Sequence, residues 1–253
     1  MNPTPTVALV TGASRGIGHA MANALSLRHD RVVVAARTLS DLKVVANAIP
    51  GGHACELDMR DDEQVEEVVE FAASLGSLKT VVANASALVY GPIREETMKK
   101  YDLVSSVNVR GTYALARSAA PHMVEGGHFV AIAPPVHLCM GPMLENRCAH
   151  LTSKLGMTLV AMSLAHEEPQ IRSNALWPET LIRTAATEVH GIGRPEDWRE
   201  PTIMADALLA LLRTQLTGEM ILDTTILRAD GVTDFRRYSR FLKDPEPAEV
   251  VVS

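Results

Sequence analysis

A chain of 253 residues, 47% of them hydrophobic and with a formal net charge of -6, has room for one well-buried α/β domain and is too acidic for a general nucleic-acid binder. Cys55, Cys139 and Cys148 show no metal-ligand spacing, and an odd count suits a reducing compartment better than a disulfide framework. With no basic leader ahead of an apolar run, and no apolar stretch near the ~20 residues of a membrane helix, a soluble cytoplasmic protein without nucleic-acid or membrane partners is expected.

Short apolar runs alternate with longer amphipathic stretches. Strands are predicted at residues 7–11, 31–36, 54–57, 80–83, 128–133, 171–176 and 219–222. Helices are predicted at 17–27, from about residue 40, at 61–75, around 98–123, and at 148–167 and 204–213. Strands that are apolar on both faces, separated by amphipathic helices, imply a parallel sheet covered on both sides. Right-handed crossovers then give a Rossmann-type, doubly wound α/β fold in a single domain over residues 1–243. The tail at 244–253 has two prolines, three acids and no periodicity, and is expected to be flexible. Residues 134–147 and 178–201 are long irregular stretches that follow strands, where open α/β sheets bind ligands.

The first turn reads Thr11-Gly12-Ala13-Ser14-Arg15-Gly16-Ile17-Gly18. Gly12 permits the tight turn, Gly16 lets backbone approach a pyrophosphate, and Gly18 lets the helix pack close to the sheet. The helix N-terminus then presents N–H groups to phosphate. The second strand ends Ala35-Ala36-Arg37-Thr38, with no acid to hold the ribose 2′-OH of NAD. Arg37 and Arg15 suit a 2′-phosphate instead, so NADP(H) is the expected cofactor.

Thr-Gly-x-x-x-Gly-x-Gly near the start, Asn84-Ala85-Ser86 after the fourth strand, and Asn108 within Val107-Asn108-Val109-Arg110-Gly111 resemble the short-chain dehydrogenase/reductase family over about residues 7–238. Ala133-Pro134-Pro135, Ala175-Leu176-Trp177-Pro178, Thr184-Ala185-Ala186, Ile221-Leu222-Asp223 and Gly231-Val232 resemble its hydroxysteroid dehydrogenase-like branch. No part of the sequence reads as the additional sterol-carrier domain found in some of those relatives. The resemblance implies cofactor contacts from Gly12, Ser14, Arg15, Gly16, Ile17, Gly18 and Arg37, and from Asp58 at the adenine. It also implies contacts from Asn84, Ala85, Ser86 and Lys154, and from Pro178, Thr180, Ile182 and Thr184 after the sixth strand. It further implies a homodimer or homotetramer through the helices around 98–123 and 148–167.

The resemblance breaks at the catalytic set. The family places a tyrosine and, four residues later, a lysine on one helix face, a serine on the preceding loop, and an asparagine that supports the lysine through a water. Here the helix reads His150-Leu151-Thr152-Ser153-Lys154, so Lys154 is kept and His150 stands at the tyrosine position. The serine position is Ala133. The catalytic candidates are therefore His150, Lys154 and Asn108. Lys154 disfavours imidazolium, so His150 is expected to be neutral near pH 7, a competent base and a poor acid. His137, Thr152 and residues 145–147 are the nearest candidates to replace the lost hydroxyls.

Three readings stay open on the sequence. One is an NADP(H)-dependent oxidoreductase acting on a mid-sized, mostly apolar alcohol or carbonyl substrate with His150 as base. Another is a non-redox isomerase, cyclase or lyase using the same base. The third is a non-catalytic dinucleotide-binding subunit, in which His150 merely fills the tyrosine's volume. No metal site is expected.

Overall fold

The computed structural model describes residues 3–139, 141–189 and 191–241, apart from the side chains of Pro142 and Met143. Strands β1 (Thr6–Thr11), β2 (Arg31–Ala36), β3 (Gly52–Glu56), β4 (Ser77–Ala83), β5 (Met123–Ile132) and β6 (Arg172–Trp177) join β9 (Met220–Leu222) in one parallel sheet. Its order is β3-β2-β1-β4-β5-β6-β9. The order reverses between β1 and β4, the crevice where doubly wound sheets hold ligands.

Alternation along the strands feeds two cores. Ala8, Val10, Val32 and Val34 point to helices α1 (Gly16–Leu25), α2 (Leu39–Ala48), α8 (Thr202–Leu211) and α9 (Asp223–Ala229). Val7, Leu9, Val33 and Ala35 point the other way, to α3 (Asp62–Ser74), α5 (Gly111–Ala119) and α6 (Cys148–Glu167). Strands apolar on both faces are thus sandwiched between helical layers, as the parallel pattern requires.

The continuous helix predicted around 98–123 is divided. It consists of α4 (Met98–Val104), a wider π-helical turn at Ser105–Arg110, α5, and a 3₁₀ turn at Ala120–His122 that contains Pro121. Strand β5 begins five residues earlier than expected, because its pairing with β4 shifts register between Leu78↔Met123 and Thr80↔His128 around Gly126 and Gly127. The stretch 178–201 is not wholly irregular. It holds β7 (Leu181–Ile182) paired with β8 (Trp198–Arg199), and α7 (Ala185–Val189). Helix α9 follows β9 where no element was expected. The tail at 244–253 and His190 lie outside the described residues.

Candidate functional site

The turn between β1 and α1 is packed too closely for side chains. Gly12 has φ +67°, and a methyl group there would sit 2.8 Å from Ala85 Cα; at Gly18 it would sit 2.4 Å from Gly12 O. Asn84 locks the turn, its Nδ2 donating to Thr11 O at 2.9 Å and Gly12 O at 3.2 Å. Thr11 Oγ1 accepts from Asn84 N and Ala85 N, both at 3.1 Å, and donates to Val82 O. A methyl at Gly16 would meet only the Thr184 side chain, at 3.4 Å.

That open side lies at the N-terminus of α1. Arg15 gives this helix no side-chain cap, and its first turn holds no acid. Helix α3 contrasts with it: Asp61 caps Glu63 N and Gln64 N, and acids fill its first turn. The leading N–H groups of α1 are therefore left for an outside acceptor, and the helix dipole favours an anion there. This donor set fits the pyrophosphate of a dinucleotide. Ser14 is half-buried in the turn, and Ile17 packs against the core.

Arg37 follows β2 directly. Arg15 and Arg37 are exposed, and neither guanidinium makes a hydrogen bond or ion pair among the described residues. The Asp58 carboxylate is engaged by Arg60, through Nη2 at 2.5 Å, Nε at 2.9 Å and the backbone N at 3.0 Å. Arg60 first, with a contribution from Arg37, holds that carboxyl below the usual carboxylate range. Ser86 is exposed, its hydroxyl turned to Ala87 O.

Helix α6 carries the other half of the site. His150 and Lys154 are both buried, one turn apart. Lys154 Nζ donates to Ile132 O at 2.5 Å and lies 5.4 Å from the Trp177 ring centre. Burial pushes this amine down to about 7. His150 is pushed down to about 3, first by burial, then by Lys154 and Arg147, against an opposing hydrogen bond to the Ala87 main chain. Burial is thus a larger cause than the lysine charge that sequence alone offered. Nδ1 is buried without a partner. The Ala87 contact therefore falls to Nε2–H and leaves an Nδ1 lone pair.

Asn108 sits on the π-helical turn, where the backbone is displaced from α-helical register. Its Oδ1 accepts from Ala87 N at 2.7 Å, and its Nδ2 donates to Ala87 O at 3.0 Å and Ser153 Oγ at 2.8 Å. Ser153 in turn donates to His150 O at 2.7 Å. Asn108 thus fixes the β4 loop against α6, and Lys154 is held by β5. Thr152 is exposed on α6 and His137 is exposed on the loop after β5, so neither stands in this buried arrangement.

After β6, Pro178 is half-buried, Ile182 is buried in β7, and Thr180 is buried with its hydroxyl unpartnered. Thr184 bonds with Thr187. Asp223 ties this loop down: its Oδ1 accepts from Glu179 N at 2.9 Å and from Thr224 N at 2.7 Å. Burial pushes Asp223 up to about 6, against those N–H donors. Sequence reasoning gave no site role to Ser153 or Asp223, and set aside Tyr90, whose ring meets that of His150, as belonging to another element. An acid ending the apolar strand 219–222 was a signal for Asp223, and i+3 spacing from His150 was one for Ser153. Tyr90 had none. Among the described residues, no cluster of metal-ligating side chains is present and no helix is long and apolar enough to cross a membrane.

A phosphate-ready glycine turn at the switch point, with a lysine-bearing helix beside it, defines a Rossmann-type dinucleotide-binding domain. The chain belongs to the short chain dehydrogenase family, whose sequence profile matches residues 6–190. It is 36% identical over 249 residues to hydroxysteroid dehydrogenase-like protein 2 of Xenopus laevis, covering 91% of this chain and 59% of that protein. The chain thus spans less than two thirds of that relative. A crystal structure of a short chain dehydrogenase from Mycobacterium thermoresistibile superposes with TM-score 0.84 at 30% identity, over 98% of this chain and 95% of that one. A blue fluorescent protein from a metagenomic library, solved in complex with NADPH, matches at TM-score 0.73 and 25% identity, over 86% and 95% of the two chains.

Proposed function

We propose that this chain is an NADP(H)-dependent oxidoreductase acting on a mid-sized, mostly apolar alcohol or carbonyl compound, with His150 as proton acceptor. The observation that carries the reading is a buried, neutral imidazole one helical turn from Lys154, beside a helix N-terminus left uncapped for phosphate. When bound, the cofactor supplies the hydride acceptor or donor. Gly12, Gly16, Gly18 and the α1 N–H groups would hold its pyrophosphate. Arg15 and Arg37 would hold the 2′-phosphate, since β2 ends without an acid. Asp58, Asn84, Ala85 and Ser86, with Pro178, Thr180, Ile182 and Thr184, would line the rest. A structural neighbour's complex with NADPH supports this choice.

The chain's own groups favour proton removal. An imidazole pushed down to about 3 is not a donor at neutral pH; Nδ1, buried and without a protein partner, keeps a lone pair for a substrate hydroxyl, but the same shift makes it a weaker base than a free imidazole, so a proton it takes must be passed on. Lys154, brought to about 7, is the group on the same face that titrates near neutrality and can hold the proton next. Leu144 and Val136 offer apolar surface on the loop after β5, where such a substrate would lie. The exposed Tyr113 on α5 and Leu159 on α6 support a homodimer or homotetramer, and we place the protein in the cytoplasm. The same neutral imidazole also serves proton abstraction without hydride transfer. The oxidation state of the cofactor during turnover separates these two readings.

The test is to titrate NADPH and NADH into the wild type and Arg37→Ala, then to offer NADP⁺ with mono- and polycyclic secondary alcohols. NADPH should bind more tightly than NADH, and R37A should lose about 1.5–3 kcal/mol, roughly ten- to a hundredfold, for NADPH alone. Equal affinity of the wild type for both cofactors contradicts the assignment. Turnover with no change in cofactor oxidation state selects the non-redox reading.

A further inference from the structure

Asp223 is wholly buried where β9 turns into α9, away from the His150–Lys154 face, and three elements meet at its carboxyl. From α9 itself, Thr224 N donates to Oδ1 at 2.7 Å. From the loop after β6, Glu179 N donates to the same oxygen at 2.9 Å. From β8, the buried Arg199 acts on the carboxyl by its charge, and its Nη1 stands 3.8 Å from Glu179 Oε2. Strand β8 is paired with β7, with Ile182 opposite Arg199 and Arg183 N donating to Arg199 O at 2.8 Å. Asp223 therefore sits at the root of the segment that bears Pro178, Thr180, Ile182 and Thr184.

The choice of a carboxyl here is costly. Oδ2 is buried without a hydrogen-bond partner. An amide would serve the two N–H groups without burying a charge. What ionisation adds is grip, since a hydrogen bond to a charged acceptor is roughly twice as strong as a neutral one. The hold on the loop therefore varies with the state of the carboxyl. Burial raises its pKa to about 6, against the N–H groups of Glu179 and Thr224. Of the charged groups that act on it, Arg199 favours the ionised form and Glu179 disfavours it.

We propose that Asp223 is a positioning residue for the cofactor: its carboxylate, acting through Glu179 N–H, holds the segment 178–184 in place to line the dinucleotide site, and protonation loosens that hold. This role rests on the NADP(H) reading for what fills the site, and its test separates the two.

Asp223→Asn keeps the shape and an acceptor oxygen for both N–H groups but cannot ionise. NADPH is titrated into the wild type and D223N from about pH 5 to about pH 8. At the upper end the wild type should bind roughly fivefold more tightly than D223N, the advantage of a charge-assisted bond over a neutral one. At the lower end the two affinities should converge. The cofactor phosphate and Lys154 titrate in both proteins, so the ratio between them isolates Asp223. A ratio of one throughout overturns the proposal, and so does a ratio that does not change with pH, which marks a packing role. A second readout needs no cofactor: hydrogen exchange in the segment 178–184, corrected for the intrinsic effect of pH. Exchange should quicken in the wild type as pH falls through about 6, and should be fast throughout in D223N. Wild-type exchange that is indifferent to pH overturns the proposal without any variant. The expected exchange pattern in a wild type that fails to bind NADPH keeps the loop latch and overturns the cofactor reading.

Discussion

Among the described residues, His150 is one of three histidines that this fold holds neutral. Burial is the first cause at each: His29 is pushed down to about 4, His128 to about 4 and His150 to about 3. Lys79 adds at His29, where Asp30 opposes, and Arg172, Lys79 and His29 add at His128. In the unfolded chain each imidazole takes up a proton as pH falls through its ordinary 6.5, whereas the folded chain resists until about 4 or 3. The unfolded state then binds more protons, so this stability is fully present above about pH 6.5 and is lost as pH falls through that range to the folded values. Lys154 acts in another window. Its folded value of about 7 against an ordinary 10.5 makes stability rise with pH between them. Thermal melts should therefore show Tm falling steeply from about pH 6.5 to about pH 4.5, and His128→Gln should flatten that slope by up to about one proton. A Tm that is flat across this range contradicts the burial of these groups.

At the scale of elements, the strands and glycine turn were legible because their signals are local: apolar runs, and glycines at fixed spacing between a strand and a helix. The lysine face of α6 was legible for the same reason. The division of the helix predicted around 98–123 was not, since the π-helical turn leaves no compositional mark and is held by tertiary contacts of Asn108. The loop partners of the site were also hidden. Tyr90 reaches His150 only because residues 84–91 fold back onto α6, a contact across some sixty residues of chain that no periodicity encodes. Asn84 shows what such contacts do. Its two hydrogen bonds to Thr11 O and Gly12 O hold the glycine turn open on its outer side. Asn84→Ala should weaken NADPH binding by roughly five- to thirtyfold, in line with about 1–2 kcal/mol for losing these bonds and the preorganisation they give. Calorimetric titration checks it, and wild-type affinity in N84A means that the turn keeps its shape unaided.

On the scale of the whole molecule, one sheet gathers every part of the site. β1 delivers the glycine turn, β2 delivers Arg37, and β4 delivers Asn84 and the Tyr90 loop. β5 supplies the carbonyl that holds Lys154, and β6 with β9 supplies the loop anchored by Asp223. All of these lie at or beyond the C-terminal ends of the parallel strands, around the crevice between β1 and β4 where the order reverses. The family supplies this frame, and the departure from it that we propose lies at His150. The most direct test is therefore a single-turnover measurement of NADP⁺ reduction, with enzyme in excess over the fastest secondary alcohol, for the wild type and His150→Ala. If His150 accepts the proton, H150A should lose about 10²–10⁴-fold in the chemical step while binding NADPH like the wild type. A wild-type rate in H150A would show that the imidazole only fills space.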